Sequence, residues 1–255
     1  MKGGNRLFKC IAVPLFWVAV WQILALLVAS PLLLPGPWAV LLRLGELAVT
    51  GAFWHSAVLS LLRILCGAVA AVVLGTVLAV VCCRFPMADA LLSPLLGMVR
   101  STPVASFILL LLIWIGRDIL PAVIVILMVL PVVWANVCAG IRSTDPILLR
   151  TARVFRFSPW RTLRRVYVPS VMPHFLSACR TSLGLAWKSG IAAEVLTVPA
   201  VSIGKMLYES KLYLETTDLF AWTAVVVVCS LVIEKVLMSA IGRLGRAYAV
   251  GGEDA

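Results

Sequence analysis

Residues 57–83 read AVLSLLRILCGAVAAVVLGTVLAVVCC, with Arg63 as the single charge. About 20 consecutive apolar residues in helical form cross the roughly 30 Å hydrocarbon layer of a bilayer, so this run is a membrane helix. Working outward, further runs of the same character lie at about 10–30, 101–116, 119–141, 170–197 and 218–240. Together they predict an all-α membrane protein of about six transmembrane helices. Residues 88–100 (ADALLSPLLGMVR) read as an additional half-helix, broken near Pro103. Between the first two spans, Pro35, Gly36 and Pro37 precede an amphipathic stretch, Trp38 to Leu47, suited to lying on the membrane surface. No internal repeat or low-complexity tract breaks the pattern, so residues 1–255 are expected to form a single transmembrane domain.

Composition agrees. With 62% hydrophobic and only 13% charged residues, the chain has too little polar surface to cover a soluble globule. Its net charge of +11 is compatible with nucleic-acid binding in isolation, but basic residues gathered in short loops between apolar runs are what membrane orientation requires. One side collects Lys2, Arg6, Lys9, Arg84, Arg142, the block from Arg150 to Arg165, Arg243 and Arg246, whereas the other keeps Arg43, Arg117, Lys205 and Lys211. The positive-inside rule then places both termini in the cytoplasm, and an even number of spans agrees with that. The first apolar run, behind Lys2, Arg6 and Lys9, resembles a signal peptide in charge order, but its length and lack of a clear cleavage site favour a retained helix. The seven cysteines lack zinc or redox spacing and read as reduced, apolar packing residues.

The loop expected between spans four and five runs DPILLRTARVFRFSPWRTLRRVYVPSVMPHF, Asp145 to Phe175, too charged for lipid and too patterned for a passive linker. Asp145 and Ser158 are N-cap residues, each followed by a proline at the first helical position, which predicts two short helices. Leu148, Ala152 and Phe155 on the first, and Trp160, Leu163 and Tyr167 on the second, recur at helical spacing and leave arginines on other faces. Such a unit presents a knob to a soluble partner or a basic surface to anionic lipid, at about 1 kcal/mol per Lys or Arg. On charge alone the lipid surface is the favoured reading.

This segment resembles the coupling loop of binding-protein-dependent ATP-binding-cassette permeases, whose motif runs Glu-Ala-Ala, three residues, Gly, about nine residues, Ile-x-x-Pro. The likeness extends from roughly Leu34 to Arg243, with the coupling loop at about 145–169, and is nearest to nitrate, sulfonate and taurine importer permeases. Supporting stretches are LLPGPWAVL (33–41), SLLRILCGAVAAVVLG (60–75), RSTPVASF (100–107), FSPWRTLRRVYVPSVMP (157–173) and WKSGIAAEVL (187–196). Aligned on Ser158 and Pro169, Arg150 stands at the family's glutamate, Thr151 and Ala152 at its alanines, and Arg156 at its glycine. With Phe155 these residues are the expected contacts to an ATPase. An arginine at a turn that needs positive φ pays a steric penalty, so the turn is expected to be reshaped. The excess of arginine predicts acidic residues in the partner's docking groove. The resemblance further implies a permease homodimer in a bacterial inner membrane, an extracytoplasmic solute-binding protein, and ATP and Mg on a separate cytoplasmic ATPase. The implied cargo is a small solute, by likeness an anion such as a sulfonate, taurine or nitrate.

The chain itself has no phosphate-cradling glycine motif, and its two histidines, His55 and His174, define neither a metal centre nor a catalytic pair, so no active site, bound cofactor or nucleic-acid partner is expected. Charges within spans are costly and mark function or pairing. Arg63 and Lys235 lie near enough to span ends to snorkel, and Glu234 to pair with a neighbouring cation. Lys188 and Glu194 in the fifth span, and Arg100 with Thr102 beside Pro103, are the candidate pathway residues. The competing class is an ion-gradient-driven secondary transporter in which Glu194 or Glu234 carries a proton. A membrane-embedded enzyme would need convergent catalytic groups that this sequence does not supply.

Overall fold

The computed structural model describes the backbone of residues 4–250 and the side chains of residues 12–239. The charges at Lys2, Arg6, Lys9, Arg243 and Arg246, and Cys10, lie outside the described side chains. Helices α1 (Gly4–Val28), α2 (Pro37–Ala48), α3 (Gly51–Arg84), α4 (Pro86–Ser101), α5 (Val104–Leu111) and α6 (Leu120–Arg142) are followed by the short α7 (Pro146–Val154) and α8 (Pro159–Thr162). A π-helical turn, Leu163–Tyr167, leads into α9 (Val168–Thr197), then α10 (Ile203–Leu212) and α11 (Thr216–Val250).

Among the described residues, α3, α6 and the Thr216–Ser239 part of α11 are each long and apolar enough to cross a membrane alone. The run expected as a straight third span is not one. α5 covers only Val104–Leu111, about 12 Å of helix, and meets α4 at a bend of 104°. Pro103 causes the break: it has no amide hydrogen to continue the ladder and bars Thr102 from helical geometry, which sits at ψ 134°. The pair is thus a broken span or re-entrant unit, with the expected half-helix as its first limb. α9 is about 45 Å long, but Arg180, Lys188 and Glu194 set its composition apart from the other spans.

The centre is α6, packed between α3 and α9. Gly67 and Gly75, two turns apart on α3, make the close approach possible: a Cβ at these positions would lie 2.8 Å from the Ala122 carbonyl oxygen and 2.9 Å from that of Leu130. Small residues let the two backbones touch, which is how helices gain contact where lipid offers no hydrophobic drive. Several hydroxyls bond back to their own helices, as Thr76 to the Val72 carbonyl and Thr197 to that of Ala193. All six described cysteines are unpaired, and Cys82 and Cys138 are buried in this packing.

At the end opposite the arginine-rich loop, α2 lies as the expected amphipathic element, with Trp38, Leu41 and Leu42 exposed and Val40 buried. It is fastened to the start of α11 by Arg43, which donates to both carboxylate oxygens of Asp218 at 2.5 and 2.8 Å. These bonds, with a further one to Glu46, hold the Arg43 guanidinium well above its ordinary pKa.

Candidate functional site

Three features of the bundle carry possible function. The first is the arginine-rich helix–turn–helix. Asp145 accepts from the Ile147 amide at 2.7 Å and Ser158 from that of Arg161 at 3.3 Å, so both expected caps form. α7 ends in a Schellman motif: the Phe157 amide bonds to the Ala152 carbonyl at 2.9 Å and the Arg156 amide to that of Arg153 at 3.0 Å. That motif needs a left-handed residue, and Arg156 supplies it at φ 50°. The expected reshaping does not occur; the turn keeps left-handed geometry and the arginine bears the strain. Arg156→Gly is therefore expected to stabilise the turn by about 0.5–1 kcal/mol, the steric relief of about 1–2 kcal/mol less the glycine's greater chain entropy. Amide hydrogen exchange across Ala152–Phe157 should slow by about two- to fivefold.

Ala152 and Val166 are the buried side chains of this loop, while Phe155 and Trp160 stand 68% and 70% exposed and Arg150 and Arg153 are also exposed. α8, the π-turn and α9 follow without a break from Pro159 to Thr197. The π-turn lies just ahead of Pro169, whose ring would clash with the Arg165 carbonyl in a regular helix, so the widened turn accommodates it.

The second feature lies at the far end of α9. Glu194 is fully buried, and Arg63 donates to its Oε1 at 2.5 Å. Its Oε2 accepts from the Ser60 hydroxyl at 2.7 Å and the Gly204 amide at 3.3 Å. The Ser60 oxygen in turn accepts from the Ile203 amide at 2.9 Å. One carboxylate therefore clasps α3, the end of α9 and the start of α10. The connecting loop leaves α9 through Val198, a β-branched residue at φ 49°, and Asp118 holds its Ala200 amide at 2.8 Å. Such strain persists only where surroundings over-determine it. Glu194, expected along a pathway, is instead enclosed with both oxygens bonded, and Arg63 pairs with it rather than snorkelling.

The third feature is the face of α9 turned away from α6. Ser177, Arg180, Thr181, Gly184 and Lys188 are exposed there, while Ala178, Ser182, Ala186 and Ser189 are buried on the other side. Arg100 is exposed and Thr102 partly so, at the α4–α5 elbow; α5 packs on α9, but no hydrogen bond joins these side chains to Lys188 among the described residues.

Residues 71–249 match the family described as binding-protein-dependent transport system inner membrane component. The chain belongs to this family of transporter permeases. It is 27% identical over 226 residues to a Bacillus subtilis (strain 168) protein described as an aliphatic sulfonates transport permease, SsuC, covering 86% of this chain and 81% of that one. It is 27% identical over 220 residues to the taurine transport system permease protein TauC of Escherichia coli (strain K12), covering 84% and 80%. In fold it is similar to a chain of an amino acid ABC transporter crystallised with histidines, at TM-score 0.63 and 18% identity over 78% of this chain and 97% of that one. The permease's helix–turn–helix was legible from its caps. The Arg63–Glu194 clasp was not, because 131 positions separate its partners and no local pattern links them.

Proposed function

We propose that this permease forms the passage of an importer for a small anion, a sulfonate, taurine, nitrate or similar oxyanion, working as a homodimer. A separate ATPase docks on the arginine-rich loop, and a binding protein delivers solute at the opposite end. The observation that carries this is mechanical. Two exposed aromatic side chains, Phe155 and Trp160, sit on a knob whose second helix runs unbroken into α9, so a push on the knob moves a membrane helix directly. Arg150, Thr151, Ala152, Phe155, Arg156, Ser158 and Pro169 make up the coupling unit: Ala152 packs it, Ser158 caps it, Pro169 sets its joint and the arginines meet acidic groups of the ATPase. ATP and Mg bind on that ATPase. Both termini face the cytoplasm of the inner membrane. Lys188, with Arg100 and Thr102 at the elbow, lines the passage.

Phe155 and Trp160 make few contacts within the chain, so Phe155→Ala with Trp160→Ala leaves the fold intact while removing buried anchors from the docked state. The double variant is expected to lose at least about tenfold in affinity for the ATPase, a change of about 1.4 kcal/mol. Arg150→Glu should weaken assembly in the same direction. Co-purification of the ATPase with detergent-solubilised protein, with ATP hydrolysis by the complex, reads both. Undiminished assembly in both variants would remove the docking assignment. Uptake that survives ATP depletion but collapses with the proton gradient would favour a secondary transporter. Against that class, Glu194 is locked by Arg63, and Glu234 is exposed on α11 rather than enclosed with a partner among the described residues.

A further inference from the structure

The outward faces of the bundle differ in kind. On α3 the exposed apolar positions include Val58, Leu62, Val69, Val73, Val77 and Val80, and on α11 Val227, Val228, Leu231, Val232 and Val236. These are surfaces for acyl chains, and the exposed charges of α11, Glu234 and Lys235, are adjacent and near the end of its apolar span Thr216–Ser239. Over the whole of α9 the one large apolar side chain that is exposed is Leu196, near the end of the helix. In its place run Ser177, Thr181, Gly184 and Lys188, at spacings of four, three and four that keep them within about 60° of one another, with Arg180 at the edge.

Lipid cannot cover this face. A charged side chain near the bilayer centre costs at least about 2.5–3.5 kcal/mol, and Arg180 and Lys188 straddle the middle of α9. Among the described residues neither has an acidic partner; the ion pairs of the chain involve Arg43, Arg63, Arg142 and Lys205. Glu194, the one carboxylate on α9, faces inward to Arg63. The stripe is therefore cationic, polar and unshielded.

We infer that Arg180 and Lys188 form an anion-binding ladder along the water-filled passage, with rungs two turns or about 12 Å apart along the helix. This rests on the importer reading above and adds the residues that hold the solute in transit. A second copy closes the passage from the other side, so the ladder has four cations, and an anion is passed between rungs rather than held at one. Thr181 offers a hydroxyl between the charges and Ser177 another just before Arg180, and Gly184, with nothing within 4 Å of a Cβ built on it, leaves open width beside the ladder.

The test is made on the assembled transporter carrying Gly184→Cys, a substitution the open space admits. It is treated with a methanethiosulfonate bearing an ethylsulfonate group or with its trimethylammonium analogue, and labelling is read by peptide mass spectrometry. Native Cys66, exposed on the lipid face of α3, is the internal control. Rates are normalised to those on free cysteine.

Gly184→Cys is expected to react while Cys66 stays silent, and to favour the sulfonate reagent by about tenfold or more, as a cleft of one charge sign concentrates its counter-ion. Adding Arg180→Gln and Lys188→Gln should abolish that preference but leave labelling. A silent Gly184→Cys would overturn the aqueous lining. Labelling without charge preference, or a preference that survives the glutamine variants, would overturn the ladder. Failure of the ATPase to co-purify with the unaltered chain is read separately, before labelling, and would instead remove the importer reading.

Discussion

Replacing Glu194 with alanine is expected to cost the protein about 3 kcal/mol of stability, because it strands the largely but not fully buried Arg63 guanidinium with no counter-charge. The Gly204 amide loses its acceptor at the same time, and the Ser60 hydroxyl loses the group to which it donates. The loss should lower the midpoint of thermal unfolding in detergent by roughly 10 °C. Arg63→Ala should do as much by leaving the carboxylate unpaired. The double variant Arg63→Met with Glu194→Met removes both charges and fills their volume, so it is expected to recover much of the stability that either single alanine change loses. Strict additivity in the matched cycle of Arg63→Ala, Glu194→Ala and the double alanine variant would show that the two side chains do not act as a pair. Transport should suffer in the single variants beyond their stability loss, since the clasp also holds the strained Val198 turn and the start of α10 in place.

A single methyl group at position 204 is expected to have an effect of similar size. A Cβ on Gly204 would lie 2.3 Å from the Glu194 Cβ and 2.5 Å from the Glu194 carbonyl carbon and the Val195 amide nitrogen. These are backbone and branch-point atoms with no rotamer in which to retreat, so α10 must shift away from α9. The shift lengthens the Gly204 and Ile203 amide bonds to the clasp, adding lost hydrogen bonds to the about 1–3 kcal/mol of overpacking. Gly204→Ala should therefore lower the unfolding midpoint although the new residue is small and a good helix former. An unchanged midpoint would mean that α10 does not rest on Glu194. Gly184→Ala on α9, where the added methyl meets nothing, is the matched control and should be neutral or slightly stabilising.

Much of the architecture was written in local pattern. Apolar runs announced the helices, Asp145-Pro146 and Ser158-Pro159 announced the starts of α7 and α8, and Pro103 announced the break that turned an expected span into an elbow. The departures arose where a local rule met a tertiary demand. Arginine in place of glycine at position 156 suggested an altered turn, yet the Schellman bonds and the burial of Ala152 outweigh the steric penalty and keep φ positive. Glu194 and Lys188, six positions apart in one segment, read alike as pathway candidates; helical geometry sends the first inward to Arg63 and leaves the second exposed.

The sequence by itself determined that this chain is a helical membrane protein, that a dense block of its arginines lies between Arg150 and Arg165, and that this block forms a capped helix–turn–helix. Hydrophobic periodicity, proline and capping act over a few residues, so they can be read from neighbours alone. Only the tertiary structure decided which charges are paired and which face of α9 is bare. Those outcomes depend on the packing of α3, α6 and α9, where glycines at 67 and 75 set how closely the helices meet. Contacts across more than a hundred positions leave no trace in local order, and the clasp took its form there.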